Sequence, residues 1–329
     1  MTKKKHHYLP QFYVGGFLNK DREVYIFSKK DNSISKQGKN GTFHLRYFYT
    51  LDLDKYEKRS EKEIEKRKKA LGIEKADMSI VDKYPDMLED LLSESENSAS
   101  IIIPKLINNE HIDSMDRIEL ATFMAFMYTR TPAFRKIVEG VEKRKTDNKI
   151  QKIFSSKESL KTAYNKMCED GYDKEVDLDK LYDCVENNRY KIMIPRELGI
   201  QHMLYTTTII DKILYKKTWL VVEACSESSF ITTDVPILMA HSDRTLDKLR
   251  FDTPGVQVIF PLSRRAILIM QDTQHGSVVL NKKFNKSQMR DINKIITTNA
   301  GNYIIAKDKA LLERIIKNLS LGTKKIFKT

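Results

Sequence analysis

The hydrophobic periodicity of this chain becomes strand-like at Thr218, and this change constrains the fold more than any other feature of the sequence. Four short apolar runs follow it, each bounded by polar or turn-forming residues, and each is predicted to be a β-strand. These runs cover 219–222, 229–232, 256–260 and 266–270. Their short connections favour antiparallel pairing. A helix over about 286–299, a strand at 303–305 and a terminal helix are predicted to follow.

The first part of the chain is also rich in strand-forming residues, and helical patterns lie between the two ends. Strands are predicted at 24–27 and 46–50, and a solvated, charge-rich helix is predicted over 55–70. From about 80 to 215 the pattern is helical. Residues 139–190 are so polar that we expect them to form a peripheral helical insertion.

The helical middle has an apolar centre. Ile118, Ala121, Ala125 and Tyr128 recur at helical spacing, which predicts a central helix. We therefore predict one α+β domain over residues 1–329. Its antiparallel sheet is built from an N-terminal hairpin and the C-terminal strands, and a large helical middle lies between them in sequence.

Charge is concentrated at the two ends of this basic chain, whose formal net charge is +13. Residues 1–70 carry 18 Lys and Arg against 9 Asp and Glu, and residues 281–329 carry 12 against 3. Basic clusters of this kind suit a nucleic-acid partner, because Lys and Arg contact phosphates. Lysine-rich faces that only keep the protein in solution are the alternative interpretation.

Cysteine content and hydropathy indicate the compartment. Cys168, Cys184 and Cys225 are widely spaced and form no CxxC pair, which fits a reducing environment. The N-terminal residues do not resemble a signal peptide, and no apolar run approaches the length of a membrane span. We expect a cytoplasmic protein with no membrane partner. The sequence leaves the state of homo-oligomerisation open.

An unusual histidine and aromatic cluster lies near the N-terminus. His6 and His7 are followed within a few residues by Gln11 and Tyr13. Adjacent residues of an extended chain point to opposite sides, so at most one of the two histidines would enter a given pocket. That histidine would serve as a general acid or base, or as a metal ligand. The alternative is a buried histidine that anchors the terminus.

Two arginines lie at the end of the predicted central helix. Arg130 shares the apolar stripe of that helix, so it needs a partner, and Arg135 lies about one further turn along. A carboxylate would make this contact structural, whereas a bound phosphate or substrate carboxylate would make it functional.

A third cluster lies where an apolar run ends before a proline. Thr233 and Asp234 precede Pro236 by three and two residues. An acid at a strand end suits a general base or a metal ligand, but Asp and Thr also cap turns. The sequence contains no GxGxxG, Walker, HExxH or GxSxG motif. These residues do not identify a cofactor, and a divalent metal such as Mg²⁺ is one option.

Several of these segments, in this order, resemble the domain of unknown function (DUF) 4238 family. The resemblance runs from His6 to about Tyr303 and rests on the segments HHYLPQFYVGGF, EVYIF, FMYTRTPAFR, TWLVVEA, FITTDVPI and VIFPLSRRAILI. It implies that His7, Gln11, Arg130, Asp234 and Pro236 match family positions, with Thr233 where many relatives have Ser. It also implies a bacterial protein, some of whose relatives resemble anti-phage defence proteins.

Residues and resemblance together lead to one leading hypothesis and two alternatives. The leading one is an anti-phage nuclease that cleaves RNA or DNA, with His7 or His6 as acid and base, Asp234 as base or metal ligand and Arg130 as phosphate clamp. Gln11, Tyr13, Arg135 and Thr233 would bind substrate. The alternatives are a non-enzymatic module that senses nucleic acid or a phage protein, and a hydrolase of nucleotides.

Overall fold

A computed structural model describes residues 5–39, 43–46, 48–49, 87–172, 175–226, 228–243, 249–272 and 279–326. The predicted helix over 55–70 lies outside the described residues. None of the described helices is long and apolar enough to cross a membrane.

Runs of strands and runs of helices occupy separate stretches of the chain, as is typical of an α+β fold. The strands are β1 (Lys5–His7), β2 (Val24–Ser28), β3 (Ser33–Gln37), β4 (His44–Arg46), β5 (Thr218–Glu223), β6 (Thr232–Thr233), β7 (Leu238–Ala240), β8 (Gln257–Ser263), β9 (Ala266–Gln271), β10 (Val279–Lys283) and β11 (Tyr303–Ala306). The helices are α1 (Gln11–Gly15), α2 (Met87–Ile107), α3 (Ser114–Thr129), α4 (Pro132–Ile153), α5 (Lys157–Glu169), α6 (Leu178–Glu186), α7 (Arg196–Lys216), α8 (Lys286–Thr298) and α9 (Lys309–Ile326).

The chain divides into two compact units. The first consists of Met1–Tyr49, Asp86–Phe134 and Met203–Thr329. The second consists of Thr50–Pro85 and Arg135–His202, so the polar segment 139–190 falls within it.

The described strands of the first unit form three sheets. Strands β1 and β4 form a two-stranded ribbon, β10-β5-β9-β8-β7 form a five-stranded sheet, and β3-β2-β11-β6 form a four-stranded sheet. In the last of these, the N-terminal hairpin β2–β3 pairs with the C-terminal strand β11, which confirms the predicted union of the two ends.

The sheets differ from the prediction in several ways. The described strands form three sheets and not one, and β1, β3, β7 and β10 were not predicted. Strands β5 and β10 pair in parallel, so the five-stranded sheet is mixed. The strand predicted at 229–232 is reduced to the short β6, which among the described strands pairs only with Ile304 and Ile305 of β11. The strand predicted at 46–50 lies earlier, as β4, because its pairing with β1 and not its aromatic content sets its position.

Helix α3 lies in the core of the first unit, as predicted. Asp113 caps it by accepting the amide of Asp116, and its residues Ala121, Phe123 and Ala125 are buried. Ile118 belongs to the same periodic set but is 46% exposed. The periodicity thus identified the helix correctly, but Ile118 lies outside its buried face, which includes Arg117 and Leu120 at this end of the helix.

The second unit is helical in its described part. Helix α4 begins at Pro132 after Thr131, whose hydroxyl accepts the amide of Phe134. Ser156 and Asp177 cap α5 and α6 in the same way. The contact of Thr131 with Phe134 confirms the helix start predicted at Thr131 and Pro132.

Candidate active site

The two-stranded ribbon places histidines opposite each other. Strand β1 pairs with β4 so that His7 faces His44 and Lys5 faces Arg46. The His7 and His44 rings lie 5.4 Å apart between centroids and are tilted by 56°. Because alternate residues of a strand share a face, one face of the ribbon carries two imidazoles and two cationic side chains.

The positive charge of this face is not neutralised by the described residues. Lys5 and Arg46 are both exposed, and neither has a carboxylate partner in the part of the chain that the structure describes. Like charges directly opposite each other on two strands destabilise the pairing. A face built in this way favours an anion.

His6 has a structural environment that differs from that of its neighbour. It is buried, its Nδ1 accepts the backbone amide of Tyr49 at 2.9 Å, and its ring stacks on that of Tyr49 with centroids 5.6 Å apart. His6 thus binds the ribbon to the segment that follows β4.

His7 is half-buried, and its surroundings disfavour its protonated form. Burial lowers the pKa of His7, and the positive charges of His44, Arg130, Lys5 and His6 lower it further. The side-chain amide of Gln11 lies 3.4 Å from His7 Nε2 and donates toward it. His7 is therefore held neutral at neutral pH, with an unprotonated ring nitrogen.

His44 is the member of the pair that sequence reasoning missed. Its Nδ1 is buried and has no hydrogen-bond partner among the described residues. Buried polar atoms are rarely unpaired in proteins, and a catalytic role is one of the explanations for an exception. No local pattern marks His44 in the sequence, because only the register of β1 on β4 brings it to His7.

Arg130 lies beneath the ribbon, where its guanidinium makes two contacts. It is only 1% exposed, it pairs with Glu96 of α2 at 2.7 Å, and it donates to the carbonyl of His7 at 2.5 Å. The hydroxyl of Tyr49 donates to the carbonyl of Arg130 at 2.7 Å. Of the two partners that the sequence left open, the structure contains the carboxylate. Two of the predicted site residues, His7 and Arg130, are joined directly.

Asp234 supports the turn between α8 and β11. It is 7% exposed, and its Oδ2 and Oδ1 accept the backbone amides of Asn302 and Tyr303 at 2.7 and 3.2 Å. Burial raises the pKa of Asp234, although these amides oppose the rise. The charge of Asp234 in turn adds to burial in raising the pKa of Tyr8, the residue after His7.

The remaining predicted residues have varied surroundings. The hydroxyl of Thr233 accepts the amide of Val235 and donates to its carbonyl, as in a turn. Tyr13 is buried, and its hydroxyl lies 2.7 Å from that of Thr232. Arg135 belongs to the second unit, where a Cβ added to Gly199 would lie 3.5 Å from its Nε. The substrate contacts assigned to these residues stay predictions.

The described residues contain no group of three or more His, Cys, Asp or Glu side chains arranged to hold a metal ion. The ribbon face itself carries two facing imidazoles, one of them neutral, and two exposed cations. Such a set can move protons and hold a phosphate.

Comparison with known protein families matches residues 5–310 to a family described as protein of unknown function (DUF4238). The match covers most of the 329 residues, so the chain belongs to this family. No curated protein and no solved structure matches the chain.

Proposed function

We propose that the protein is a nuclease that cleaves RNA phosphodiesters with His7 and His44 as its acid–base pair. The observation that carries this proposal is the register of β1 on β4, which places the two imidazoles opposite each other with ring centroids 5.4 Å apart. RNA is favoured over DNA because an acid–base pair of this kind needs a 2′-hydroxyl as the internal nucleophile.

His7 is the base in this reaction, since its lowered pKa keeps it neutral. It removes the proton of a ribose 2′-hydroxyl, and the 2′-oxygen forms a bond to phosphorus. The bond from phosphorus to the 5′-oxygen breaks, and His44 acts as the general acid that gives a proton to that oxygen. The products are a 2′,3′-cyclic phosphate and a 5′-hydroxyl, and no step requires a further reagent.

The neighbouring residues have supporting roles in this proposal. Lys5 and Arg46 bind the phosphate through its negative charge, because they share the ribbon face with the histidines. The side-chain amide of Gln11 orients the imidazole of His7 through its contact with Nε2. Arg130 is a positioning residue: it is buried beneath β1 and fixes the backbone of His7 through its carbonyl. Asp234 takes no part in the proton transfers.

We also propose a biological setting, which rests on the family resemblance and not on the site. Relatives that resemble anti-phage defence proteins favour a toxic effector whose substrate is nucleic acid. Expression of the active protein would then arrest growth of the host cell, and loss of His7 would relieve that arrest.

A binding module is the second candidate, and one observation favours it. The guanidinium of Arg130 and the carboxylate of Asp234 are both occupied by groups of the protein itself. A ribbon face with two cations would then bind phosphates without cleaving them.

One assay separates these candidates. The purified full-length protein is incubated with end-labelled RNA, and with DNA of the same sequence, with and without Mg²⁺ or Mn²⁺. We expect cleavage of RNA alone, and His7→Gln and His44→Gln should each lower the rate about 100-fold or more. His111→Gln is the matched control, since His111 is exposed and lies outside the ribbon.

The outcomes point to different conclusions. RNA binding without cleavage, unchanged by either substitution, would favour the binding module. Cleavage that survives His7→Gln in a folded protein would mean that the ribbon is not the active site.

A further inference from the structure

A groove in the second unit is independent of the ribbon and has no assigned role. It encloses about 420 Å³ between helix α4 and the segment 191–194. Its α4 wall consists of Lys136, Glu139, Gly140 and Lys143, and Lys191 stands on the facing wall.

The lysines of this groove are arranged by helix geometry. Lys136 and Lys143 are seven residues apart on α4, so they lie on one face about 10 Å apart along the axis. Gly140 lies on the same face between them and has no side chain to fill the space. This face of α4 thus carries a lysine at each end and leaves open space at Gly140 between them.

These lysines also differ from other lysines of the second unit in their partners. Lys145, Lys157 and Lys180 each pair with a carboxylate. Within the described residues, none of the three groove lysines has such a partner, although Glu139 lines the same groove. Three cations against one acid leave the groove with a net positive charge.

An exposed apolar side chain borders the cations. Met193 is 79% exposed, and Ile192 and Ile194 flank it. A methionine is flexible and polarisable, and its sulfur makes favourable contacts with aromatic rings. The groove therefore offers phosphate contacts and a surface for a planar aromatic group side by side.

We propose that this groove binds single-stranded nucleic acid. The lysines contact successive parts of the phosphate backbone, and Met193 packs against an unpaired base. A single strand fits better than an acidic peptide, because it repeats one phosphate and one planar base at every step. The separation of Lys136 from Lys143 also favours a polymeric anion over a single phosphate. This proposal does not depend on cleavage by the ribbon.

The test measures binding of a labelled oligothymidylate to the full-length protein by fluorescence anisotropy over a range of salt. DNA is used because it lacks the 2′-hydroxyl, so the proposed cleavage cannot disturb the measurement. The test variant is Lys136→Gln/Lys143→Gln/Lys191→Gln. The control is Lys145→Gln/Lys157→Gln/Lys180→Gln, which removes the same charge from lysines outside the groove.

Each phosphate contact contributes about 0.7 to the slope of log affinity against log salt for a single strand. Loss of three contacts should lower that slope by about 2 and weaken binding about 100-fold at about 0.1 M salt. The control should stay within about threefold of wild type. Met193→Ala should weaken binding with little change in slope, because it removes a contact to a base and not to a phosphate.

Three results would overturn the proposal. Equal losses in the two triple variants would show that only overall charge matters. Absence of binding by the wild type would show that the groove does not bind single-stranded nucleic acid. Equal affinity for poly-glutamate would assign the groove to an acidic protein. A nuclease-dead His7→Gln protein should still bind normally, so failure of the ribbon proposal leaves this test unaffected.

Discussion

The buried ion pair beneath the ribbon allows a quantitative prediction. In Glu96→Gln, the guanidinium of Arg130 keeps its charge but loses the carboxylate that compensates it. Removing one partner of a buried pair costs about 3–5 kcal/mol. Arg130 is 1% exposed but Glu96 is 24% exposed, so water can replace part of the lost contact. We therefore expect the low end of that range, about 3 kcal/mol of unfolding free energy.

The measurement uses the single tryptophan of the chain. Trp219 is buried in the first unit, which also contains the ion pair, so its fluorescence follows the unfolding of the relevant part. With a urea dependence of about 2 kcal/mol/M, the midpoint should fall by about 1.5 M. Glu94→Gln is the control on the same helix, since Glu94 is exposed, and it should change the free energy of unfolding by less than about 0.5 kcal/mol.

A double-mutant cycle completes this experiment. Arg130→Met removes the buried charge, so the added cost of Glu96→Gln should largely vanish in that background, giving a coupling energy of about 2–3 kcal/mol. A Glu96→Gln midpoint within about 0.25 M of wild type would refute the reasoning. It would mean that the buried guanidinium of Arg130 is stabilised mainly by other groups.

Three further predictions follow from local geometry. Gly301→Ala should destabilise the first unit by about 1–3 kcal/mol in the Trp219 urea assay, because the added Cβ would lie 2.7 Å from Asp234 Oδ2. Unchanged stability would mean that the turn relaxes freely. The lowered pKa of His7 means that the unfolded chain takes up its proton first as pH falls. Its contribution to stability is therefore complete above about pH 6.5 and lost below it, and His7→Gln should show a smaller drop in urea midpoint between pH 7.5 and 5.5. An equal drop in the wild type and in His7→Gln would show that protonation of His7 does not contribute to this pH dependence. Gly140→Ala should stabilise α4 by about 0.5–1 kcal/mol by hydrogen exchange, because the new Cβ meets only the Arg144 side chain, at 3.9 Å. Destabilisation would show a close contact at Gly140 that the structure does not contain.

Local patterns in the sequence predicted most of the fold. The strand-like alternation after Thr218 and the helical spacing around Ala121 both depend on neighbours within a few residues, and the corresponding elements were found. The union of the N-terminal hairpin with β11 was also predicted correctly. The parallel pairing of β10 with β5 was not, because strand direction depends on the path of the chain between them.

The candidate site was predictable only in part, for physical reasons. The apolar stripe indicated that Arg130 needs a partner, but many carboxylates could have supplied it, and only packing brings Glu96 to it. His44 could not be predicted as a site residue for a similar reason. The register of β1 on β4 brings it to His7, and the residues next to His44 in sequence do not indicate that register. For Asp234, turn capping and catalysis use the same side chain, and only its contacts with Asn302 and Tyr303 show how its oxygens are used.

The chemistry of the cleaved ends tests the central claim most directly. Labelled RNA is digested by the purified full-length protein in the presence of a chelator, and the termini of the products are identified by mass spectrometry. The paired action of His7 and His44 predicts 2′,3′-cyclic phosphates and 5′-hydroxyls, both absent from a His7→Gln digest. Products with 3′-hydroxyls and 5′-phosphates would contradict it, because water and not the ribose would then be the nucleophile.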